Sequence, residues 1–136
     1  MTEKPFGLKI SAGIYVLIGL LASFVGVSGY IGMTLTPDLL LAPAEEQSDI
    51  DVEEIRQMMQ DEEMNDFFTN IFLVIALLGV IHLVVAYFLW KGNKNARYAA
   101  LVISFFGLWS FPIGTALHAI VLYYLWFDDE TKVVFS

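Results

Sequence analysis

The sequence predicts an all-α membrane protein: an antiparallel four-transmembrane-helix bundle with an acidic, partly helical outer segment between helices one and two. Three observations carry that expectation. Of 136 residues, 57% are apolar and only 16% charged, which is unlike a soluble domain of this size. The charges are segregated, with no Asp, Glu, Lys or Arg from Ile10 to Pro37, from Phe67 to Trp90, or from Tyr98 to Phe127. Helical runs of about 18 or more uncharged residues cross a ~30 Å hydrocarbon layer. The last run is also interrupted by Pro112 and Gly114, which divides it into two limbs. A buried soluble core is excluded, because three such runs leave too little polar surface to cover them. The expected spans are about 10–35, 67–90, 97–111 and 115–128 in a single membrane domain over residues 1–136.

The first span, "ISAGIYVLIGLLASFVGVSGYIGM", follows Lys4 and Lys9. Ala12, Gly19 and Gly26 recur every seven residues, with Ala22 and Gly29 interleaved, so small side chains form one seam along the helix. Lipid supplies no hydrophobic drive between helices, so close approach at small residues drives association. The seam serves either packing within the chain or a contact between copies in a homo-oligomer. The "LAPAEE" stretch carries a small-x-small pattern at Ala42, Pro43 and Ala44. The apolar run before it exceeds the ~7–15 residues of a signal core, so the expectation is that it is retained.

The polar insert from Thr36 to Asp66 holds eleven of the fifteen acids and one base, Arg56. Its acidic outer segment comprises Glu45, Glu46, Asp49, Asp51, Glu53, Glu54, Asp61, Glu62, Glu63 and Asp66. Ser48 can cap a helix whose first turn is crowded with acids, as the dipole favours. No Pro or Gly follows until Gly79, so one helix of about 42 residues, ~63 Å, is expected from Asp49 to Trp90. An EF-hand loop starting at Asp49 fails, because its sixth and twelfth positions are Glu54 and Gln60. Diffuse cation attraction by this segment remains. Met58, Met59 and Met64 without a Cys or His nearby make a poor soft-metal set.

The second span, "FFTNIFLVIALLGVIHLVVAYFLW", has a small-residue line at Ala76, Gly79 and Ala86. His82 falls on it, so it is expected to face other helices. The connector "KGNKNAR" carries three bases.

The uncharged run from Tyr98 to Phe127 has 30 residues, ~45 Å as one helix, too long to cross without strong tilt. Pro112 cannot donate a backbone bond, Gly114 permits a turn, and Thr115 can cap a new helix, which together predict a hairpin turn. With four spans, Lys4, Lys9, Lys91, Lys94, Arg97 and Lys132 lie on the cytoplasmic side and only Arg56 outside. With three spans Lys132 moves out, leaving five against two. Trp90, Tyr98 and Trp126 then mark the inner interface, and Tyr30, Phe67, Phe68 and Trp109 the outer one.

The hairpin "GNKNARYAALVISFFGLWSFPIGTALHAIVLYYLW" resembles the C-terminal hairpin of small, mostly uncharacterised prokaryotic four-helix integral membrane proteins. These share a basic connector, an apolar helix, a Pro-x-Gly-Thr turn and a helix ending in Tyr and Leu before a polar tail. The opening "KPFGLKISAGIYVLIGLLASF" is similar to their first helix. The resemblance implies the four-helix topology and a prokaryotic plasma membrane, and implies no activity.

Intramembrane ionisable residues are functional candidates by default, and here only His82 and His118 qualify. Measured from the outer helix ends, they are expected to differ by ~18 Å along the membrane normal, so one haem cannot take both. His82, the deeper, remains a candidate for binding a cofactor or a proton. No cysteine is present, which excludes disulfides, thiolate metal sites and cysteine nucleophiles. Ser11, Ser23, Ser28, Ser104 and Ser110 are not expected to meet a histidine and a carboxylate, and no catalytic residue or metal site is expected. Without a basic stripe, nucleic acid is not an expected partner. Asp128, Asp129 and Glu130 read as a polar stop to the last helix.

The expectation is a non-enzymatic integral membrane protein with both termini cytoplasmic and no cofactor. It would be an accessory or structural subunit or small homo-oligomer, with the lipid bilayer and a membrane protein as partners. One alternative is an oligomeric channel or transporter component whose acidic segments form a cation-attracting vestibule. Another is a membrane redox or haem-binding protein acting through His82.

Overall fold

The computed structural model describes residues 3–35, 57, 61–110 and 112–136. The described residues form five helices and no strand: α1 Phe6–Leu35, α2 Glu62–Trp90, α3 Lys94–Gly107, α4 Ile113–Trp126 and α5 Asp129–Val133. Helices α1 and α2, of 30 and 29 residues, are long and apolar enough to cross a membrane, and α4 is a shorter apolar helix. Large apolar side chains such as Phe24, Leu35, Phe106, Trp109 and Ile113 are exposed. Such an exterior is costly in water and neutral in lipid.

Each helix start has a local cause. Pro5, which cannot donate a backbone bond, supplies the carbonyl that accepts from Lys9 N at the head of α1. Asp61 Oδ1 accepts from Glu63 N (3.1 Å) and Met64 N (3.4 Å), and Glu62 and Glu63 place negative charge at the positive end of the α2 dipole. Asp61 N donates in turn to the carbonyl of Gln57 (3.2 Å), which is itself helical, and the rest of the expected 42-residue helix before Asp61 lies outside the described residues. Ser48, Met58, Met59 and the acidic residues from Glu45 to Glu54 lie outside the described residues.

Helix α2 ends in a Schellman motif: Gly92 N donates to Leu89 O (2.8 Å) and Asn93 N to Phe88 O (3.0 Å). Gly92 sits at φ +73°, the left-handed conformation that favours glycine there. Asn93 then caps α3, its side-chain oxygen accepting from Asn95 N (2.9 Å) and Ala96 N (3.2 Å). One three-residue junction therefore both ends α2 and starts α3.

Helices α3 and α4 form an antiparallel hairpin. Arg97 Nε donates to Leu125 O (2.9 Å) near the open end, and Thr115 Oγ1 donates to Leu108 O (2.7 Å) near the tip. Pro112 occupies the cap position of α4 without a side-chain acceptor, so Thr115 is not the cap expected of it. Its hydroxyl instead satisfies a carbonyl left over at the end of α3. Gly114 passes beside Ser110, where an added Cβ would overlap the Ser110 side chain.

The polar stop after α4 is itself a folded element. Asp128 Oδ2 accepts from Thr131 N (3.0 Å) and Thr131 Oγ1 (2.5 Å), capping α5. Phe135 beyond it is buried and lies 5.8 Å from the Arg97 guanidinium.

Contacts divide the chain into two compact units, residues 1–20 with 81–136, and residues 21–80. In the first, Leu8, Tyr15, Val85, Leu89, Ala100, Val121, Leu125 and Phe135 share one apolar core. In the second, the seam of α1 meets α2 directly: a Cβ added at Gly26 would overlap the Ala76 backbone, and one at Gly29 the Phe72 ring. Ala12, Gly19, Gly26 and Gly29 are buried and Ala22 half-buried, so the seam is covered from within the chain at least at Gly26 and Gly29.

Candidate functional site: a buried tyrosine, serine and two histidines

Four helices each contribute one polar side chain at a common level of the first unit. Tyr15 lies nine residues past the start of α1, and Ser104 ten past the start of α3. His82 and His118 each lie eight residues before the closing tryptophan of their helix, Trp90 and Trp126. At 1.5 Å per residue all four sit ~12–15 Å from the helix ends that carry Lys4, Lys94 and Trp126.

The two histidines are therefore neighbours, with ring centres 6.1 Å apart. This overturns the expected ~18 Å separation. That expectation counted both positions from the outer helix ends as if those ends were level. Yet α2 begins twenty residues before His82, and α4 only five before His118. The tryptophan-bearing ends give the correct register.

Tyr15 and Ser104 are fully buried, His118 is 5% exposed and His82 8%. Tyr15 Oη donates to Ala100 O (2.7 Å) and lies 3.0 Å from Ser104 Oγ, which lies 3.3 Å from His118 Nδ1. The Tyr15 proton is committed to Ala100, so Ser104 donates to Tyr15 Oη. His118 must then donate from Nδ1 to Ser104 Oγ for all three bonds to coexist. That fixes neutral His118 as the Nδ1–H tautomer. Its ring rests on Gly107 of α3, where an added Cβ would overlap the imidazole. Tyr15 meets His82 with ring centres 5.0 Å apart and His118 edge-on at 6.3 Å.

Ser104 thus has a histidine beside it, contrary to the expectation for the serines. No carboxylate completes a triad in the cluster, and Ser104 Oγ is sealed from solvent, so nucleophilic attack on an outside substrate is not supported by this arrangement. Among the described residues no three His, Cys, Asp or Glu side chains converge as a metal site would require. What the arrangement does chemically is join α1 to α3 and α3 to α4 by hydrogen bonds, and bring α2 against α1 and α4 through the tilted ring contacts of His82.

Tyr15 was not among the candidates the sequence offered, though it carried a signal. It lies three residues past Ala12 and four before Gly19, on the small-residue seam itself. Gly79, His82 and Ala86 are all buried, on one line of α2. Asp61, Glu62, Glu63 and Asp66 are exposed around the start of α2, far along that helix from His82. Pro112 is exposed and Gly114 and Thr115 half-buried at the hairpin tip.

No protein-family model matches the chain, and neither a curated protein nor a solved structure is detectably similar to it.

Proposed function

We propose that the protein is a non-enzymatic integral membrane protein: an accessory or structural subunit, or a small homo-oligomer. Its four antiparallel spans leave both termini in the cytoplasm of a prokaryotic cell. The observation that carries this reading is the Tyr15–Ser104–His118–His82 cluster, which draws one side chain from each of four helices and in which Tyr15, Ser104 and His118 bond to one another and to Ala100 O, with the His82 ring against Tyr15 and His118. Polar groups so used hold helices in register and are not presented to a substrate. The apolar exterior and the segregated charges support insertion in lipid.

The lack of cysteine makes topology simple to test, since any introduced thiol is the only one. Lys94→Cys and Lys132→Cys are expected to react with a membrane-impermeant maleimide only from the cytoplasmic side. Reaction of Lys132→Cys only from outside would sink the hairpin topology. Gentle extraction from the native membrane is expected to give a species of defined size larger than the 15.3 kDa chain. A strictly monomeric species under those conditions overturns the subunit reading.

The 6.1 Å approach of the imidazoles favours a second reading, a membrane redox protein in which His82 and His118 share one metal. Two imidazoles bound ~2.0–2.1 Å from one ion hold their ring centres about 5–6 Å apart. Against a haem in that position, the space around the pair is taken by the Tyr15 ring and the Gly107 backbone. Metal analysis and an absorption spectrum of the natively purified protein decide: a stoichiometric metal lost in His118→Ala supports this reading, and its absence from the parent protein removes it.

A further inference from the structure

We propose that the groove between α1 and α2 at their lysine-bearing ends binds one anionic phospholipid, with an acyl chain in the groove and the phosphate among Lys4, Lys9 and Lys91. This rests on the reading that the chain is embedded in lipid. The groove encloses about 440 Å³ and opens on the exterior of the first unit. Its floor is made of Ala12 and Gly13 of α1 and Ala86 of α2, and nothing lies within 4 Å of the point where a Gly13 side chain would begin. Leu83 and Val16 form its walls. From Leu83 to Trp90 the slot runs seven residues, ~10 Å, or about two-thirds of the ~15 Å depth of one leaflet. An apolar slot of that length fits the upper part of a lipid chain.

The mouth is what specifies the headgroup. Tyr87 and Trp90 present exposed rings there, at the level where amphipathic aromatics meet lipid headgroups. Lys4 Nζ sits 4.2 Å over the Trp90 ring and donates to the Trp90 carbonyl, and Lys91 Nζ sits 4.7 Å over the Tyr87 ring. Lys9 lines the groove itself and makes no ion pair among the described residues. No carboxylate lines the groove. Three ammonium groups with no ion pair among the described residues, at the end of an apolar slot, complement a phosphodiester attached to acyl chains. The neighbouring groove around Phe6, Ile10 and Tyr123 has no cation at all, so nothing there selects an occupant.

The test uses the full chain with Trp109→Phe and Trp126→Phe, leaving Trp90 as the one indole. The protein is reconstituted in phosphatidylcholine vesicles containing phosphatidylglycerol, with bromine on the acyl chains of one lipid or the other. Quenching of Trp90 is expected to be several-fold stronger when the bromine is on phosphatidylglycerol at equal mole fraction. Lys9→Gln and Lys91→Gln are each expected to reduce that preference about fivefold, corresponding to one basic residue near a charged headgroup. Gly13→Leu, which fills the slot and leaves every charge in place, is expected to abolish it. Equal quenching by both lipids in the parent overturns the site while leaving membrane insertion intact. Full preference in Gly13→Leu also overturns it, showing diffuse attraction to a basic surface. Failure of the parent to insert in vesicles at all overturns the membrane reading, and the site with it.

Discussion

Two atoms decide how the buried cluster is built, the phenolic oxygen of Tyr15 and the Cα of Gly107. Removing the first should cost little but measurably: Tyr15→Phe deletes the bond to Ala100 O and the contact to Ser104. Hydrogen bonds between helices in lipid contribute roughly 0.6–2 kcal/mol, so a loss of about that size is expected in reversible unfolding by SDS in mixed micelles. An unchanged midpoint would mean the hydroxyl contributes nothing. Gly107→Ala should cost more, about 1–3 kcal/mol, because its Cβ enters the space of the His118 ring, which is held by Ser104 and cannot swing away freely. Gly13→Ala, with open space at its Cβ, is expected to be neutral or slightly stabilising in the same assay. The sequence made His82 and His118 visible because an ionisable side chain in an uncharged run stands out. Their contact with each other was not visible, because relative depth depends on which helix ends are level. Tyr15 did not stand out, and Ser104 was not expected to meet a histidine, for a plainer reason: neither is charged, and a tyrosine or serine in an apolar run reads as ordinary span composition.

At the scale of elements, the long uncharged runs overlap α1, α2, α3 and α4, and α1 and α2 are long and apolar enough to cross a membrane. Junctions were less legible. Asn93 and Asp61 cap helices, and Pro112 holds the cap position expected of Thr115, because capping depends on the local backbone path as much as on residue type. The short helix α5 was read only as a polar stop, although Asp128 and Thr131 are good capping types. Within α5, Lys132 Nζ lies 2.5 Å from Asp129 Oδ1. The hydrogen bond and then the charge of that ammonium hold the Asp129 carboxyl below its usual 3.8. A carboxyl depressed in this way stabilises α5 fully above its ordinary value, and the contribution disappears as pH falls through the lowered one. An NMR titration of the Asp129 carboxyl in detergent should therefore show a midpoint below 3.8 that rises toward it in Lys132→Ala. Because Asp129 is exposed, high salt should raise the midpoint in the parent protein too. A midpoint indifferent to both changes would show the pair to be absent in solution.

For the whole molecule, charge segregation and apolar content were enough to anticipate an all-helical chain with helices long enough to cross a membrane, because those are bulk properties that no local detail can reverse. The function was far less legible, since a polar cluster that only packs and one that holds a ligand draw on the same residue types. Limb length has a consequence for the membrane itself. Helices α3 and α4 are 14 residues each, ~21 Å, against a hydrocarbon layer of ~30 Å, and the first turn of α3 carries Lys94, Asn95 and Arg97. On the proposed four-span topology, lipids flanking the hairpin would shorten or tilt to keep its tip, with the exposed Trp109, at an interface. The protein should accordingly unfold less readily in bilayers of shorter-chain lipid, and a resistance that instead rises steadily with chain length would contradict a spanning hairpin. A bilayer containing this chain then carries a dent along one stretch of its perimeter. Dented lipid is a scarce environment that other short-walled proteins also favour, so a hairpin spanning in this way would give the membrane a reason to gather them before any two protein surfaces touch.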